Sequence, residues 1–182
     1  MDKKIEQLKE YADLCEDIGI EYFQRGNHDD AELLFHAALE LANECNVEDN
    51  DFLVTKLNNL ATVYFVQNRY EEAELLYRRG LRLFIDHLGF DHHDLPRLLQ
   101  NFSKLSRAMD QETVADGLMI CAEILSLDRS PIGKYVNHTT APKGLTSIID
   151  LLNARDTKRR NLPAMDDNLL SDVEIADEVC VA

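Results

Sequence analysis

The stretch Leu57-Asn58-Asn59-Leu60-Ala61-Thr62-Val63-Tyr64-Phe65-Val66-Gln67-Asn68-Arg69-Tyr70-Glu71-Glu72-Ala73-Glu74-Leu75-Leu76-Tyr77-Arg78-Arg79-Gly80-Leu81 has an earlier counterpart in the same chain. Ile18-Gly19, Tyr22-Phe23, Gly26, Ala31, Phe35 and Ala38-Leu39 return 42 residues later as Leu60-Ala61, Tyr64-Phe65, Asn68, Ala73, Tyr77 and Gly80-Leu81. A further step of 42 lands on Leu99, Phe102, Ser103, Ala115, Met119 and Ala122. The small residues and the bulky one between them persist there, while the tyrosine has become Ser106, so the third copy is degraded. A fixed period of this length marks stacked units that cannot bury their apolar faces alone.

Each copy predicts a helical hairpin, over about 11–46, 53–88 and 95–127. In the first, Leu8, Tyr11, Cys15, Ile18, Gly19 and Tyr22 fall on one helical stripe, Gly26-Asn27 makes the turn, and Ala31, Leu34, Phe35, Ala38 and Leu41 stripe the return helix. Gly19, Ala61, Ala31, Ala73, Ala38, Gly80 and Ala122 recur where two helices must approach closely, with Tyr22, Phe35, Tyr64 and Tyr77 filling the space beside them. Gly80 is the informative one, because glycine inside a helix costs roughly 0.5 to 1 kcal/mol relative to alanine unless tight packing offsets it.

Leu57-Asn58-Asn59-Leu60-Ala61-x-x-Tyr64, Arg69-Tyr70-Glu71-Glu72-Ala73-Glu74-x-x-Tyr77 and Leu88-Gly89-x-Asp91-His92-x-Asp94 resemble the tetratricopeptide repeat. The longer period is similar to the kinesin-light-chain form rather than the commoner repeat of about 34 residues. The likeness runs from about Tyr11 to Leu127. It implies an all-α, right-handed superhelical array of helical hairpins that acts as a non-catalytic adaptor for a peptide or partner protein. In the kinesin-light-chain family the matching inner-helix asparagines contact cargo peptide, which implies that role for Asn59 and Asn101. The first copy departs, with Asp17 at the equivalent place. The clamp by which other members grip acidic chaperone tails needs Lys and Asn where Glu16 and Ile20 stand, which disfavours a heat-shock co-chaperone.

In a stack of hairpins the first helix of each pair lines the concave face, so its non-core positions are the candidate contacts. These are Asp13, Glu16, Asp17, Ile20, Phe23 and Gln24, then Thr55, Asn58, Asn59, Thr62, Phe65 and Val66, then Arg97, Gln100, Asn101, Lys104 and Arg107. The predicted groove runs acidic, neutral, basic, and so predicts a ligand of mixed charge, basic at one end and acidic at the other.

Composition narrows the partners. With 19 lysines and arginines against 34 acids, the net charge of −15 argues against nucleic acid and anionic membrane. Cys15, Cys45, Cys121 and Cys180 are scattered without metal or redox spacing, and the chain opens Met-Asp-Lys-Lys-Ile-Glu-Gln with no apolar signal core, so a reducing, cytoplasmic setting is expected. Cys15 reads as a buried thiol, Cys45 and Cys180 as exposed ones. The run Asp86, His87, Asp91, His92, His93, Asp94 holds metal-ligand types. It falls at the connector between copies, where Asp94 reads as the N-cap of the next helix ahead of Pro96. No nucleophile elbow, phosphate loop or zincin motif occurs, so no enzyme, metal or cofactor is expected.

Residues 128–160 read as a loop and a capping helix, with Leu145, Ile148, Ile149 and Leu152 on one face, followed by Arg155, Lys158, Arg159 and Arg160. Residues 161–182 read as an acidic tail carrying Asp166, Asp167, Asp172, Glu174, Asp177 and Glu178, with Leu169, Leu170, Val173 and Ile175 as a weak docking motif. That tail is complementary in charge to Arg97, Lys104 and Arg107, which raises autoinhibition of the groove. Self-association through the open edge of the array and a small chaperone for a secreted or assembling client are the competing readings.

Overall fold

The computed structural model describes residues 3–45 and 50–127, so the expectations for 128–182 lie outside the described residues. Those described are helical: α1 Lys3–Gln24, α2 His28–Glu44, α3 Asn50–Val66, α4 Tyr70–Leu83 continued by a π-helical turn Phe84–Leu88, α5 Leu95–Ala108 and α6 Glu112–Leu127. They form three hairpins in which each helix packs on the next in sequence, and α3 also meets α5. This is a helical-hairpin array.

The three turns are built alike. Gly26 (φ 78°), Asn68 (φ 61°) and Asp110 (φ 57°) are left-handed, and they stand 42 residues apart. Just beyond each, an N–H reaches back to close the helix: Asn27 to the Tyr22 carbonyl at 3.0 Å, Arg69 to Tyr64 at 2.8 Å and Gln111 to Ser106 at 2.9 Å. This paired closure satisfies carbonyls that the helix end would leave bare. The return helices start on the same spacing, with the N–H groups of Ala31, Ala73 and Ala115 bonded to the carbonyls of Asn27, Arg69 and Gln111.

Small residues lie where helices cross, both within a hairpin, as at Gly19 against α2, and between hairpins, as at Gly80 against α5. Ala31, Ala38, Ala61, Ala73, Ala115 and Ala122 are all fully buried. A methyl on Gly19 would stand 2.9 Å from the Phe35 ring, and one on Gly80 2.6 Å from Leu98 Cδ1, which accounts for glycine inside both helices. Ser103 holds the corresponding place in the third hairpin and uses its hydroxyl to bond the Ala115 carbonyl at 2.8 Å. Tyr77 stacks on Phe102 with ring centroids 5.7 Å apart, which ties the second hairpin to the third. Ser106 replaces the tyrosine of the other copies, and its hydroxyl is buried without a hydrogen-bond partner.

Four sequence expectations need correction. Tyr11 and Ile18 are 57% and 36% exposed rather than packed on the stripe, because α1 is the first helix and leans on α2 with its far side open. Cys15 is only half-buried. Cys45, expected exposed, is buried at the end of α2. Asp94 stands at the N-cap position of α5, yet its carboxylate makes no capping bond. It pairs with Arg97 at 3.1 Å and His93 at 3.2 Å instead.

The turn geometry generates an expectation with opposite signs at equivalent sites. A Cβ at Gly26 would touch nothing within 4 Å, so Gly26→Ala costs only backbone strain, about 1 kcal/mol. Asp110→Gly relieves that strain and is expected to stabilise by roughly 0.5 kcal/mol. Urea midpoints that move the same way in both variants would refute the account.

Candidate peptide-binding face

The first helices α1, α3 and α5 are joined side to side by polar groups. The Asn101 amide donates to Asn58 Oδ1 at 3.1 Å, and the Asn59 amide donates to Glu16, each reaching back 43 residues. Lys56 adds the strongest rung. Its ammonium is 2% exposed, donates to Asp13 Oδ1 at 2.6 Å and to Glu16, and lies 4.2 Å from the centroid of the Phe52 ring. A buried ammonium needs such partners, since burial without them costs several kcal/mol.

The candidate contacts therefore divide into two groups. Asp13, Glu16, Asn58, Asn59 and Asn101 are engaged between helices. Thr62 bonds the Asn58 carbonyl at 2.8 Å and the Tyr77 hydroxyl at 3.2 Å, and Thr55 bonds the Asp51 carbonyl at 3.4 Å. Arg97 is held by Asp94. Arg107 reaches across its turn to Glu112 at 3.3 Å and Asp116 at 2.8 Å. That contact has counterparts: Phe23 meets His28 at 5.0 Å and Phe65 meets Tyr70 at 6.0 Å, so Phe23, Phe65 and Arg107 clasp their turns. The second group faces solvent, and it comprises Asp17, Ile20, Gln24, Val66, Gln100 and Lys104.

The charge gradient changes with this division. Lys56 offsets the acids Asp13 and Glu16, and the acids of α6 offset Arg107. What faces solvent without a described ion-pair partner is Asp17 at one end and Lys104 at the other. Sequence reading missed Lys56, although one signal was present: it is a lysine at the register where the other copies carry Leu14 and Leu98.

A second brace joins the first two hairpins at the α3–α4 turn. Arg69 pairs with Glu32 and Glu72, each at 2.6 Å, and its guanidinium lies 4.1 Å from the Tyr64 ring centroid. The bond from Arg69 holds the Glu72 carboxyl below its usual range, while burial pushes the Tyr64 phenol up. His36 Nε2 is 2.9 Å from the same phenol oxygen.

The histidine run builds the connector. His92 Nδ1 accepts the Asp94 N–H at 3.2 Å, its Nε2 faces Asp51 at 3.2 Å, and its ring lies 5.2 Å from Phe84. His92, His93 and Asp94 place ligand-type atoms within 4.8 Å of one another, beside a depression of ≈ 530 Å³ lined by Leu88, Asp91, His92 and His93. His92 Nδ1 is taken by the Asp94 N–H, and His93 and Asp94 pair with each other, so the run is tied into the chain reversal. Burial pushes the Cys121 thiol up, the opposite of an activated nucleophile.

Residues 15–86 match the tetratricopeptide repeat family, a span that takes in most of the first two hairpins. With the hairpin array, that match supports a tetratricopeptide repeat protein, a class whose repeats generally mediate protein–protein interaction and are typically non-catalytic. A search of curated proteins finds no matching relative. Among the described residues no helix is long and apolar enough to cross a membrane.

Removing the buried cation tests the rung. Lys56→Met leaves Glu16, itself 12% exposed, without its counter-charge, and is expected to cost about 3 kcal/mol. Adding Glu16→Gln and Asp13→Asn should return most of the loss in chemical denaturation. A triple variant no better than Lys56→Met would show that the ammonium acts through its packing alone.

Proposed function

We propose that the chain is a non-catalytic adaptor that holds an extended segment of a partner protein along the concave face formed by α1, α3 and α5. The observation that carries this reading is the division of that face. The cross-linked asparagines fix the surface, and the exposed row beside them is free to meet a ligand. Asn59 and Asn101 each spend one donor on the ladder. An amide has a carbonyl oxygen and a second N–H besides, the pair that an extended backbone needs. The resemblance to the kinesin-light-chain form supports the same two asparagines as peptide contacts. Asp17 and Lys104 then set polarity, favouring a basic residue at one end of the ligand and an acidic residue at the other. A net charge of −15 supports a protein ligand over nucleic acid or an anionic membrane, and a cytoplasmic setting fits the scattered cysteines.

Ile20 and Val66, 37% and 40% exposed, also support a second reading in which the face shields an apolar segment of an unfolded client. Suppression of client light scattering at stoichiometric protein would favour that chaperone role over an adaptor.

The experiment is a charge reversal. Asp17→Lys with Lys104→Glu exchanges the two exposed charges and leaves every described rung intact. Partners recovered from native lysate by the wild type should be lost or replaced in the double variant, with unchanged circular dichroism. An identical partner list would remove the groove from consideration.

A further inference from the structure

The first helix carries an apolar row that the array leaves uncovered. Tyr11, Leu14 and Ile18 are 57%, 55% and 36% exposed. At the repeat period the same register holds Leu53, Lys56 and Leu60 in α3, and Leu95, Leu98 and Phe102 in α5. The three α5 residues are at most 1% exposed. They are covered because α4 lies against α5: Tyr77 stacks on Phe102, and the missing side chain of Gly80 makes room for Leu98. In α3, Lys56 and Leu60 are 2% and 1% exposed. The row on α1 is thus the acceptor half of a helix joint that the array completes at its other hairpins.

The polar ladder ends at the same edge. Asn101 reaches back to Asn58, and Asn59 to Glu16. The next residue in that register is Asp17, exposed and unbonded to any described residue. A carboxylate only accepts, so the group that completes this rung is a donor, and a cationic one binds it best. Exposed Glu10 adds a second acid on the same side of the row. Two copies of a −15 chain would bring these acids together, which disfavours self-pairing through this face.

We propose that the Tyr11–Leu14–Ile18 face of α1 is a docking surface for an amphipathic helix of a basic partner protein. That helix places glycine or alanine over Leu14 and a lysine or arginine beside Asp17. Helix α4 carries the small residue and the arginines in its C-terminal half, with Tyr77 and Gly80 buried and Arg78, Arg79 and Arg82 nearby, while Glu71, Glu72 and Glu74 occupy its N-terminal half; it supplies the probe, with the arginine end set beside Asp17.

A fluorescent peptide of the 70–84 sequence, stapled on its exposed side to hold the helix, is titrated into the full chain and followed by anisotropy. Saturable binding is expected, weakened about tenfold or more by Leu14→Lys, which removes an apolar contact from the centre of the face. Asp17→Asn should weaken it about threefold and flatten its salt dependence. Lysine is the residue that the second copy holds at the Leu14 register, and the thermal melt of Leu14→Lys checks that folding is kept. A peptide carrying Gly80→Leu should not bind. No binding, binding insensitive to Leu14→Lys, or equal binding of the Gly80→Leu peptide overturns the proposal. A dimer in sedimentation that Leu14→Lys dissolves also overturns it, by assigning the face to a second copy.

Discussion

Every hairpin rests on two helices coming together so closely that only a very small side chain fits at the crossing. Gly19, Ala61 and Ser103 meet this demand on the first helices, and Ala31, Ala73 and Ala115 on the return helices. Little of the gain lies in the small residues themselves. Dispersion falls off steeply with separation, so the close approach lets Phe35, Tyr77, Phe102 and the surrounding leucines reach contact distance. Once the crossing is set, the turn has little latitude. A left-handed residue then falls at the same place in each copy, and the polar rungs between first helices fall into step with it.

Those rungs make the face a fixed template rather than a set of independent side chains. An exposed helix row loses rotamer freedom when a ligand orders it, at roughly 0.5–1.5 kcal/mol per long side chain. Asn59 and Asn101 have already met part of that cost through their bonds to Glu16 and Asn58. Lys56 extends the same logic to charge: with Asp13 and Glu16 it forms a compensated cluster, so a ligand need not neutralise those acids on arrival. In the proposed adaptor role, specificity would fall to the few exposed groups, Asp17, Ile20, Val66 and Lys104.

Much of the fold was legible because its determinants are local and repeated. The helix period, the small residues and the turn at Gly26-Asn27 can each be read without knowing what lies opposite. The candidate site was legible only as a register. Reading a residue as a surface contact assumes that nothing on the next helix claims it, and Lys56 lies 40 and 43 residues from the acids it binds. Arg107 failed in the same way, since its partners Glu112 and Asp116 lie beyond the turn. Tyr11 and Ile18 were misread for a different reason. Their apolar pattern is that of a covered helix, and a pattern states what a residue can pack against, not whether a neighbour is there.

That last difference separates the two surfaces of the array. In a one-dimensional stack each hairpin has a neighbour on both sides except at the ends, where a polar outer face normally keeps the array soluble. At position 56 the second copy has a lysine, and it is buried against acids of the preceding helix. At position 14 the first copy has a leucine, and it is more than half exposed. If the outer face of α1 served only to end the stack, a polar residue at that register would be the stable choice. Retaining Tyr11, Leu14 and Ile18 in the pattern of an interior joint keeps that edge competent to receive another helix. The proposed groove and the proposed edge therefore differ in what they would ask of a partner: an extended backbone at the one, a folded helix at the other.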